Sequence, residues 1–132
     1  MDKDKQVAQL HWKIQQWKLR FQLMDEEINF INRLLDSNAF KPNTPNLFER
    51  IMDYKNRVEK ISSKSVALRT QISSHENTLG GMSDKTENSS DINTNKKNDQ
   101  LQVEVDACLG DFQNLKSEIF NYTGSIFITS NP

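Results

Sequence analysis

The sequence predicts an all-α protein, an antiparallel up–down–up three-helix bundle with coiled-coil-like packing. Three observations lead there. Apolar residues recur at alternating steps of three and four along three separate stretches, the signature of helices that meet along a seam. Helix breakers fall between those stretches: Pro42 and Pro45 after the first, Gly80 and Gly81 after the second. The hydrophobic content of 35% and mean hydropathy of -0.76 suit long helices. Such helices bury one narrow stripe and keep their other faces wet.

The first helix is expected over 5–37. Its seam is Val7, Leu10, Ile14, Trp17, Phe21, Met24, Ile28, Ile31 and Leu35. It stops before 38–45, because Pro42 and Pro45 cannot occupy a helix interior and bias Lys41 and Thr44 toward extended backbone. The second helix is expected over 45–79, with Thr44 as N-cap and Pro45 at the first helical position. Its seam runs Leu47, Ile51, Tyr54, Val58, Ile61, Ser65, Leu68, Ile72, His75 and Leu79, with Ser65 and His75 as polar members. Gly80-Gly81 is expected to cap it.

The stretch 80–98 holds only Met82 and Ile92 as large apolar residues. It offers too little burial to offset its ordering entropy, which predicts a flexible, disordered linker. A third helix is expected over 99–123, with Asn98 or Asp99 as N-cap and Gly124 closing it. Leu101, Val105, Cys108, Phe112, Leu115, Ile119 and Tyr122 form its seam. The tail 124–132 is expected either to fray or to pack as a short extended segment on the bundle end.

A single helical-bundle domain, 1–132, follows. At 1.5 Å per residue the first two helices are each roughly 50 Å long, and their short connection makes 5–79 an antiparallel hairpin. Hinged near Lys41, that hairpin would set His75 opposite residue 8, with both histidines at the open end. The third helix then covers the exposed side of both seams. Charge favours its place beside the second: Asp99, Glu104, Asp106, Asp111 and Glu118 against Lys116, facing a helix with Arg50, Lys55, Arg57, Lys60, Lys64 and Arg69. Docked on another copy instead, the third helix would give a swapped oligomer.

The totals exclude several function classes. Seventeen basic and 18 acidic residues leave a net charge of -1 in 132 residues, without the basic footprint of a nucleic-acid binder. One cysteine, Cys108, rules out an internal disulfide framework. No run approaches the roughly 18 apolar residues of a membrane span, and MDKDKQVAQL lacks a secretory core. The expected location is cytoplasmic, which leaves the glycosylation patterns at Asn88 and Asn121 without weight.

Trp12, Leu19, Leu23 and Phe30 form a second stripe on the first helix, away from its seam. Aromatics are enriched at interfaces, so these four are the expected partner-binding residues, for a protein partner or for self-association. Lys3, Lys5, Lys13, Lys18 and Arg20 beside Trp12 and Trp17 read as a solvated face, with Trp17 committed to the core. His11 and His75 are the only histidines, and without a Glu-x-x-His motif they make a poor metal site. Asp25-Glu26-Glu27 point in different directions on a helix and make no acid–base pair. The run Gly80 to Thr86 lacks the glycine that a phosphate loop needs before its lysine. Cys108 reads as a small buried hydrophobe.

Two stretches, Pro42 to Arg50 (PNTPNLFER) and Ser74 to Met82 (SHENTLGGM), resemble short uncharacterised bacterial coiled-coil proteins. That resemblance covers mainly the first two helices and implies a helical bundle with no known activity. In outline the chain is also similar to a spectrin-like three-helix repeat, a likeness of architecture alone. The expected function is a non-enzymatic helical interaction or scaffold protein, with no cofactor, no small-molecule substrate and no integral membrane association. The alternative is a small sensor that binds a metal or ligand near His11 and His75.

Overall fold

Three long helices account for most of the chain: α1 (Asp2–Leu35), α2 (Leu47–Met82) and α3 (Asn88–Ile126). The computed structural model describes residues 2–82 and 88–128, and their side chains over 5–80 and 94–128. The helices run up, down and up around one core, and α2 packs on both neighbours more extensively than α1 and α3 pack on each other. The predicted seams are the core. Ile14, Trp17, Phe21, Met24, Ile28, Ile31 and Leu35 from α1 are buried, as are Tyr54, Val58, Leu68, Ile72 and Leu79 from α2. Leu101, Val105, Cys108, Phe112, Leu115 and Ile119 complete it from α3. Near its C-terminal end the α3 seam slips by one residue: Thr123 and Ile126 are buried while Tyr122 is half-buried.

The expected linker over 80–98 is largely helix. α2 continues through Gly80 and Gly81 to Met82, and α3 begins at Asn88; residues 83–87 lie outside the described ones. The reason is a seam continued in polar residues. Thr94 and Asn98 are both buried on the α3 side that leads into Leu101. The predicted glycine caps at 80 and 124 are absent: both glycines sit within helices, and no described glycine has positive φ.

The start of α2 also differs from expectation. The Thr44 hydroxyl donates to the Lys41 carbonyl at 2.7 Å and so caps nothing. Helix begins at Leu47, and the Asn46 carbonyl accepts the first intrahelical bond from Arg50 N at 3.0 Å. Asn46 has φ 56°, a left-handed conformation that asparagine tolerates better than most residues. At the other side of the loop, α1 ends at Leu35, two residues short of its predicted end, and the Ser37 hydroxyl donates to the Leu34 carbonyl.

The tail packs rather than frays as far as Ile128. Lys41 N donates to the Ile126 carbonyl at 2.8 Å, and Ile128 N to the Ala39 carbonyl at 2.7 Å. These bonds make a two-strand bridge between Phe40 and Phe127, whose rings stack at 5.7 Å. The bridge fastens α3 to the α1–α2 loop.

Ion pairs mark the register of the helices. Asp36 pairs with Lys55, Asp25 with Arg69 at 2.6 Å, and Glu76 with Lys18. Glu27 pairs with Lys116, and Glu118 takes Arg57 in a fork at 2.8 and 3.1 Å. His75 therefore stands near the level of Gln15 and Lys18, not opposite residue 8. A point hinge at Lys41 misplaces it because the loop, with buried Phe40, extends past the end of α1 alongside the first turns of α2.

Candidate interaction surface

On an ideal helix of 3.6 residues per turn, Trp12, Leu19, Leu23 and Phe30 fall within about 40° of one another. Seam packing turns the opposite side of α1 inward, so all four face solvent. Trp12 is 63% exposed, and Leu19, Leu23 and Phe30 are each about half exposed. Phe30 is not isolated. Its ring meets Phe120 of α3 edge-to-face, with centroids 6.3 Å apart and planes at 73°. Sequence reasoning missed Phe120 because it lies off the α3 seam. The available signal was its spacing from Leu109, eleven residues or about three turns, which sets both on one flank of that helix.

The stripe borders a shallow groove between α1 and α3 of about 320 Å³, formed by Arg20, Leu23, Glu27, Asp106, Leu109 and Gln113 among others. Loose packing of α1 on α3 leaves this groove open. Grooves of similar size follow the other helix pairs, about 310 Å³ beside Lys18, Asp25 and Arg69, and about 340 Å³ beside Arg57, Asp111 and Glu118. Each of the three has an ion pair at its edge, Glu27–Lys116 at the first, Asp25–Arg69 at the second and Glu118–Arg57 at the third. The α1–α3 groove is the one that borders the stripe, through Leu23.

The basic residues of α1 separate by role. Trp17 is buried in the core and Lys18 is held by Glu76, while Lys5, Lys13 and Arg20 are exposed. The acidic run diverges as helical geometry requires: Asp25 turns to α2, Glu27 to α3 and Glu26 to solvent.

The histidines form no ligand cluster. His75 is buried, and its Nε2 lies 3.4 Å from Asn98 Oδ1. Burial lowers its pKa below the usual histidine value, helped by the nearby charges of Lys97 and His11 and opposed by the Asn98 contact. Glu76, the nearest carboxylate in sequence, is engaged by Lys18 and Gln15; the Lys18 contact is the main cause of its lowered pKa. Among the described residues no group of three or more His, Cys, Asp or Glu converges to hold a metal ion. Burial pushes the Cys108 thiol up, away from the thiolate that nucleophilic chemistry needs.

Among the described residues no helix is long and apolar enough to cross a membrane. No family model matches the chain, and no curated protein or solved structure was found to be similar to it.

Proposed function

We propose that this chain is a non-enzymatic, cytoplasmic interaction or scaffold protein whose working surface is the outer stripe of α1, extended by Phe120 of α3. The observation that carries the reading is the exposure of Trp12, Leu19, Leu23 and Phe30 on a single line. Solitary exposed hydrophobes are ordinary on protein surfaces, but an aligned set of large ones marks a contact surface. The edge-to-face contact with Phe120 gives Phe30 a restricted orientation, which lowers the entropy lost when a partner docks. A long helix flanked by a groove suits recognition of another amphipathic helix.

The competing reading, a metal or ligand sensor near His11 and His75, has less support, since His75 is committed to Asn98. The test is affinity capture from the native cell with the wild-type chain and with Trp12→Ala/Phe30→Ala. Both substitutions are on exposed side chains, so the variant should keep its helical circular dichroism and lose the captured protein. Capture that survives in a folded double variant removes this surface from the function.

A further inference from the structure

The stripe on α1 is symmetric. Trp12 and Phe30 lie equally far from Phe21 on either side, and so do Leu19 and Leu23. A two-fold axis passing through the level of Phe21 would therefore lay Trp12 of one copy on Phe30 of the other and Leu19 on Leu23, at both ends at once. This is the condition for an isologous interface, in which residue i meets j and j meets i.

Charge follows the same symmetry with opposite sign. From Lys5 to Met24, α1 carries Lys5, Lys13, Lys18 and Arg20 and no acidic residue. From Asp25 onward it carries Asp25, Glu26 and Glu27 against Arg33. Asp25 and Glu27 already pair with Arg69 and Lys116 within the chain, which leaves Glu26 as the exposed acid of that half, and antiparallel pairing brings Lys13 within about a turn of Glu26 along the axis. Parallel pairing would set Lys13 on Lys13 and Glu26 on Glu26. Around the helix the exposed charges nearest the stripe are Lys5, Glu26 and Arg33, with Arg20 and Lys13 farther round on the flank opposite Glu26.

We propose that the occupant of this surface is a second copy of the chain, docked through an antiparallel α1–α1 contact. The proposal rests on the reading of the stripe as the working surface and names its partner. In the dimer Trp12 of one copy packs on the Phe30–Phe120 pair of the other. That pair supplies a preset aromatic face at each end, while the leucines meet at the centre.

Sedimentation equilibrium at micromolar concentrations should give a dimer for the wild type. Trp12→Ala/Phe30→Ala should remain helical and associate ~100-fold or more weakly, the effect of losing two buried aromatic anchors. Orientation is read by spin labels on Gln9→Cys in a Cys108→Ala background. Antiparallel pairing about Phe21 places the labels about 35 Å apart along the axis, whereas parallel pairing places them about 10 Å apart. A short label separation overturns the arrangement, and a dimer undiminished in the double variant overturns the surface. A strict monomer overturns self-pairing; capture of a different protein that depends on Trp12 and Phe30 would then leave the interaction reading standing.

Discussion

His75 occupies a seam position that leucine or isoleucine fills elsewhere in the bundle, and its chemistry is set by that placement. Burial favours the neutral imidazole, and its pKa in the folded chain is depressed. Between the folded and unfolded values the unfolded chain binds more protons, so stability rises with pH there. His75 therefore contributes fully above its unfolded value of 6.5, and that contribution is lost as pH falls below 6.5 toward the depressed value. Melting temperature should drop between pH 7.5 and 5.5, and His75→Gln should flatten that drop. Glu76 and Glu118, whose pKa values are lowered by Lys18 and Arg57, lose their contributions only as pH falls below 4.5, in a separate window. A wild-type melting temperature unchanged across the first window would show that His75 is not held neutral by burial.

At the scale of elements, His75 and Asn98 make a polar layer between α2 and α3. Removing either partner leaves the other buried without its contact, so His75→Leu and Asn98→Leu should each destabilise by about 1–3 kcal/mol. The double replacement should be much less damaging than the sum, because two leucines facing each other need no polar partner. Urea unfolding of the four proteins completes the cycle; additive losses would mean that the layer is not coupled. A buried polar pair in an otherwise apolar seam also favours one register over slipped alternatives.

That same layer explains what the sequence left hidden. Periodicity located α1, most of α2 and α3 from Leu101 onward, because their seams are written in Leu, Ile, Val and aromatic residues. It failed over 88–98, where Thr94 and Asn98 continue the seam in residues that also populate loops. Likewise the exposure of Trp12, Leu19, Leu23 and Phe30 was legible from their offset from the seam. The part played by Phe120 was not, since it depends on how α1 and α3 are turned toward one another.

For the whole molecule, the sequence carried the antiparallel order but not the register. Helix lengths and a short connection dictate the hairpin, whereas the position of His75 depends on a loop that extends along α2 before turning. The cross-helix pairs Lys55–Asp36, Arg69–Asp25 and Arg57–Glu118 are partly exposed, and each such pair contributes little stability. Their value is positional. The α1–α3 side, with its looser packing and apolar stripe, is where association would add most burial, and the dimer proposed above closes that side.

The bridge between Phe40 and Phe127 has a kinetic consequence. It joins segments that are distant along the chain, so its formation closes a long loop, and we expect that step to follow the docking of the helices. Contacts made that late are absent from the folding transition state, and their loss acts on the unfolding rate. Phe127→Ala should unfold about tenfold faster in stopped-flow experiments and refold at nearly the wild-type rate. Equal slowing of refolding would instead place the bridge in the folding nucleus. Two backbone hydrogen bonds and one stacked ring pair would thus set how long the native bundle persists before α3 lifts away.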